Sequence, residues 1–116
     1  MAIIDVPTHT VVQTINVARY DASVGPVGVQ VSPDGSRIYL ANGRGNSVSV
    51  IDTVSYDLLE TIPVGERVWG IGMTRDGKKL YAANGLSNDV SVIDTLSEKV
   101  TATIPVGEGA GGVAIR

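Results

Sequence analysis

The chain has 116 residues, with 9 Lys and Arg against 12 Asp and Glu, one His, no Cys and no Phe. That length suits one small domain; a net charge of -3 supplies no footprint for a phosphate backbone, which argues against nucleic acid, and the missing cysteines exclude disulfides and thiolate metal sites together. Apolar residues at 43% must build an interior from Val, Ile, Leu and Ala with a single Trp, a set that favours pleated surfaces.

The opening MAIIDVPTHT has neither a basic n-region nor an apolar run long enough for a signal peptide or a membrane span. The segment IDVPTHTVVQTINV, residues 4–17, aligns with Ile51 to Val64 and reads as two strands joined by a turn that holds His9. The chain therefore begins inside a structural unit. Residues 18–27, ARYDASVGPV, form a longer loop than the equivalent connection further on.

From Gly25 to Glu66 the sequence is a unit that recurs from Arg67 to Glu108 without a gap, and 21 of the 42 paired positions are identical. A period of this length signals stacked supersecondary units, none able to bury its own faces alone. Short alternating runs between turn signals predict four strands per unit. The first, Val27 to Ser32, sets Val27, Val29 and Val31 against Gly28 and Gln30, and its copy sets Trp69, Ile71 and Met73 against Gly70 and Gly72. A bare face of this kind suits a strand that another backbone approaches closely. The second strand, Arg37 to Asn42, follows a tight turn at Asp34 and Gly35. The third spans Ser47 to Asp52. The fourth, Leu58 to Val64, carries Pro63, and its copy carries Pro105, which places this strand at a sheet edge because proline donates no ladder hydrogen bond. Residues 112–116 repeat a first strand only.

These elements predict an all-β fold, a β-propeller of four-stranded antiparallel blades with the first strand innermost. Its parts are a half blade and loop over residues 1–24, blades over 25–66 and 67–108, and the first strand of a further blade over 109–116. If a lateral blade face hides about 500 Å², leaving it in water forfeits roughly 12 kcal/mol. The expectation is closure by oligomerisation: a cyclic homodimer has four intact blades and two hybrid ones, a six-blade ring. The competing expectation is that the chain is a segment of a longer propeller.

The string SPDGSRIYLANGRGNSVSVIDT, followed by LLETIPVG, resembles the YVTN family of β-propeller repeats, with YLAN and YAAN standing at the name-giving tetrapeptide. The resemblance covers nearly the whole chain. It implies a surface-layer or cell-envelope scaffold, and it leaves open a lactonase-like or quinone- or haem-associated relative whose catalytic groups lie outside this chain.

In a propeller the connections between fourth and first strands and between second and third strands share the axial face. They hold Arg19, Tyr20, Asp21, Arg44, Glu66, Arg67 and Asp89, with Trp69 just inside a strand. Two sets of arginine, acid and aromatic around an axis suit an anion, a peptide or a small molecule; solvated loop charge is the plainer reading. Trp69 reads either as a rim aromatic available for stacking or as a core filler, and the second is favoured because its alternation partners Ile71 and Met73 read as buried. Asp52, Asp94 and Asp5 end third strands, where turn capping outweighs a cation ring, and Asp34 and Asp76 do the same for the hairpins. No catalytic constellation and no cofactor site is expected: one His cannot make a metal centre, and there is no GxSxG elbow, HExxH pair or P-loop. A non-enzymatic binding module or scaffold is the first reading, and a piece of an enzyme or redox propeller the second.

Overall fold

The computed structural model describes residues 1–5, 10–14 and 27–108. The expectations for His9, Arg19, Tyr20, Asp21 and the strand at 112–116 lie outside them. The described residues form ten strands: β1 (Ala2–Asp5), β2 (Thr10–Thr14), β3 (Gly28–Val31), β4 (Arg37–Ala41), β5 (Ser47–Asp52), β6 (Leu58–Pro63), β7 (Val68–Met73), β8 (Lys79–Asn84), β9 (Asp89–Asp94) and β10 (Lys99–Pro105). They form a two-stranded ribbon, β1-β2, and two four-stranded antiparallel meanders, β3-β4-β5-β6 and β7-β8-β9-β10. These are the two predicted blades, with Pro63 and Pro105 on their outermost strands.

The ribbon repeats the outer half of a blade in its register. Ile4 pairs with Val11 beside a bulge, as Ile51 pairs with Leu58 and Ile93 with Val100, each next to a register shift of its own. Turn chemistry repeats as well. Gly35 and Gly77 adopt φ of 75° and 73° in the first hairpins, and Asn46 and Asn88 adopt 53° and 55° at the second. Thr53 donates to the Gly35 carbonyl at 2.6 Å and Thr95 to the Gly77 carbonyl, so the repeated IDT ties one end of each blade together.

The main core lies between the blades. Tyr39, Ala41, Val48, Val50 and Ile62 of the first blade meet Val68, Leu80, Ala82 and Ile93 of the second, flanked by Val64, Ile71, Met73 and Val100. A smaller cluster of Ile38, Leu40 and Ile51, on the opposite face of the first blade, packs with Met1, Tyr56 and Leu58. Burial of these aliphatic faces is what holds the units together, because each blade alone is a sheet with two apolar sides. The first strands converge: a Cβ built on Gly28 would lie 3.7 Å from Ala41 Cβ and 3.9 Å from Gly70 Cα. The bare face of β3 thus turns toward the neighbouring innermost strand, as expected.

The alternation along β7 differs from the expected one. Val68 pairs with Asn84 and Gly70 with Ala83, so Trp69 is the extra residue of a bulge. Val68 takes the buried place, at 0% exposure, and Trp69 is left 53% exposed. The core-filler reading of Trp69 is therefore corrected: the bulge breaks the period-two count between Trp69 and Ile71.

Candidate functional site

Strand connections at one end of the blades are built by reciprocal hydrogen bonds that cross between units. Asn46, at the second hairpin of the first blade, accepts the Arg67 amide on its Oδ1 at 2.8 Å. Ser87, at the same hairpin of the second blade, accepts the Glu66 amide on its Oγ at 2.9 Å. The Arg67 and Glu66 carbonyls in turn accept from the amides of Gly85 and Leu86. The crossover from β6 to β7 is thereby clasped on both sides, and Arg67 is held at a φ of 59°, a conformation a non-glycine residue keeps only when its surroundings enforce it.

Gly65 is needed for this closure. A Cβ there would stand 2.5 Å from Ser87 Oγ and 2.6 Å from Asn84 Nδ2. Beneath it the repeated asparagines organise each hairpin from inside. Asn42 donates from Nδ2 to Ser47 and Ser49, and Asn84 does so to Asp89 and Ser91, both amides wholly buried.

The residues expected at this face separate into two groups. Arg44, Glu66 and Arg67 are exposed on the connections, and Trp69 is exposed just inside β7. Gly43 forms an antiparallel bridge with Val68, which sets Arg44 opposite Arg67 on adjacent backbones. The single ion pair found among the described residues, Arg37 with Asp52 at 3.1 Å, involves neither of them. Leu86, 64% exposed, adds an apolar neighbour on the loop that holds Glu66. Asp89 behaves differently. Its Oδ1 accepts from Asn84 Nδ2 at 2.8 Å and from Ser87 Oγ at 2.9 Å, and it borders a cleft of about 260 Å³ with Pro63, Val64 and Gly65. It is a strut that positions the hairpin.

At the opposite end of the blades the sequence reading missed a groove of about 740 Å³ between the first hairpins and the connection after β9. Asp34, Arg37, Tyr39, Asp76, Lys78 and Glu98 are among its lining residues. Its aspartates, Asp34, Asp76 and Asp94, are occupied by local turn amides and hydroxyls. Hydrogen bonds from the Ser36 hydroxyl and amide and from Ser32 hold Asp34 down at about 2. Asp52 is lowered chiefly by the Ser55 amide, Asp76 by the Lys78 amide and Asp94 by the Ser97 amide. Asp52 and Asp94 thus act as turn caps, and among the described residues no group of three or more His, Cys, Asp or Glu is placed to hold a metal ion.

The fold is found in solved structures. Over 76% of its length the chain is 32% identical to a hydrazine synthase chain from Kuenenia stuttgartiensis, with a TM-score of 0.73. It superposes at 0.68 on the WD40 repeats of RRP9, at 22% identity over 75% of its length. At 20% identity over 97% of its length, it superposes at 0.81 on a functionally unknown protein from Desulfotomaculum acetoxidans. It spans 25%, 28% and 37% of those three chains. No protein-family profile and no curated protein matches the sequence. The likeness establishes blades of the propeller type, and the four-stranded sheets agree with it.

Proposed function

We propose that this chain is a β-propeller binding module of the YVTN type, serving as a cell-envelope scaffold, whose axial connections capture a peptide segment bearing a carboxylate and an apolar or aromatic side chain. The observation that carries this reading is the pairing of Arg44 and Arg67 across the Gly43–Val68 bridge, beside a half-exposed Trp69 displaced outward by its bulge. Two guanidinium groups on adjacent backbones repel each other and gain from an anion, which they receive in a planar, two-pronged geometry. An exposed indole on a fixed strand offers stacking area at little entropic cost. The double clasp by Asn46 and Ser87 holds these connections in place before any ligand arrives. Glu66 beside them disfavours a polyanion and suits a ligand of mixed charge.

The test is a selection from a displayed library of short peptides, followed by fluorescence-anisotropy titration with the selected peptides carrying a dye. Acidic, aromatic-containing sequences are expected to bind the native chain, to lose at least tenfold in affinity with Arg67→Ala or Trp69→Ala, and to bind unchanged after Leu96→Ala at the far end. Selection of sequences indifferent to all three substitutions would refute the site.

A further inference from the structure

The repeat provides an internal standard for each blade face. In the first blade the face made by Tyr39, Val48, Val50 and Ile62 is covered by the second blade, and Ile62 is 2% exposed. The matching face of the second blade carries Tyr81, Val90, Val92 and Ile104, and there Ile104 is 46% exposed. Val64 packs against the shared core, whereas its counterpart Val106 is 42% exposed. Gly65 is closed down on Asn84 and Ser87, whereas Gly107 has no atom within 4 Å of a built Cβ. The second blade therefore displays a socket whose proper filling the first blade shows: the inner strands and the outer-strand pair of another blade.

The same chain displays the matching plug. Val100, beside its paired Ile93, packs into the inter-blade core, and Leu58, beside Ile51, packs into the smaller cluster. The ribbon places Val11 in that register, paired with Ile4 next to a bulge, and Val11 is 61% exposed. Socket and plug are two halves of one type of contact, already made once between the blades, and within a single chain Val11 and Ile104 both stay exposed.

From this register we infer that the outer face of β7-β8-β9-β10 receives the β1-β2 ribbon of a second copy of this chain, with Val11 of one copy seated against Val92 and Ile104 of the other as Val100 is seated in the core with Val50 and Ile62. The contact is head-to-tail, so each copy offers one socket and one plug, and two copies close on themselves. The inference is independent of the axial site, since none of Arg44, Arg67 and Trp69 takes part.

Light scattering of the purified chain across the low micromolar range tests it. The expected result is twice the 12.1 kDa chain mass. Val11→Asp and Ile104→Asp should each drive the protein to monomer while retaining the strand circular dichroism. An equimolar mixture of the two variants should recover a dimer, because one native plug and one native socket remain between them. Leu96→Asp, at a site 95% exposed on the same blade, should leave the dimer intact. A folded native monomer at these concentrations would overturn the inference, as would a dimer indifferent to both substitutions or a mixture that fails to associate.

Discussion

The two blades share 21 of 42 paired residues, yet identical residues at the same position meet different fates according to their neighbours. Ile62 and Ile104 both follow Thr in TIPVGE, and one is sealed while the other is half in water. Gly65 and Gly107 close the same hexapeptide's fifth position, one against a buried amide and one against nothing. Burial in this molecule is a property of stacking, added from outside a unit after its strands have formed. Sequence similarity between units therefore does not imply similar sensitivity to mutation.

The contrast can be broken most forcefully at the isoleucines. Ile62→Ala should cost about 3 kcal/mol, the scale of a large-to-small change in a filled core. Ile104→Ala, compared by urea denaturation in a Val11→Asp background that keeps copies apart, should cost less than about 1 kcal/mol. Equal losses would mean that the second blade's outer face is sealed in solution by something other than a second copy.

A smaller effect is expected at the glycines. Gly65→Ala pushes a methyl group into Ser87 and the Asn84 amide, and should cost about 2 kcal/mol by forcing the clasp apart. Gly107→Ala should lie within about 0.5 kcal/mol of the native chain in the same background. Hydrogen exchange sharpens the comparison, because loss of protection at the Glu66 and Arg67 amides should accompany only the first substitution.

The smallest effect is titration of the turn carboxylates, which are distributed over both blades. Asp34, Asp52, Asp76 and Asp94 are all held below the ordinary value of 3.8, Asp34 at about 2. Folded values below unfolded ones mean stability that is fully present above pH 4 and drains away as pH falls from about 4 toward 2. The urea midpoint should fall across that window, and Asp34→Asn should flatten its slope by lowering the plateau at neutral pH toward the acid value. All four groups are solvent-accessible, so the change per residue is modest.

Much of this architecture was legible in the chain. The period gave the number of units, the alternation gave four strands in each, and Pro63 and Pro105 gave the outer edge, because those signals are local. The turn roles of Asp34, Asp52, Asp76 and Asp94 were legible for the same reason. Trp69 was not, since a bulge at Val68 and Gly70 inserts one residue into the pleat without any glycine or proline at the inserted position. Nor were the left-handed backbones at Tyr56 and Glu98, where neither residue type announces a positive φ. The groove beside Tyr39 and Lys78 escaped because it belongs to no single unit; it exists only once two blades are set at their mutual angle. Of the axial residues, the sequence grouped Asp89 with the arginines, and only the Asn84 and Ser87 hydrogen bonds reveal it as internal support.

The clasp has a consequence for how such chains grow. Asn46 reaches forward 21 residues to the Arg67 amide, and Ser87 reaches back 21 residues to the Glu66 amide, so every such bond spans half a period. A gene segment of one period that carries Ser87, and not the Gly45 at the same position of the first unit, reproduces both bonds at the new seam when copied in tandem. Lengthening by that unit is thus structurally silent at the joints and requires no compensating substitution where old and new sequence meet.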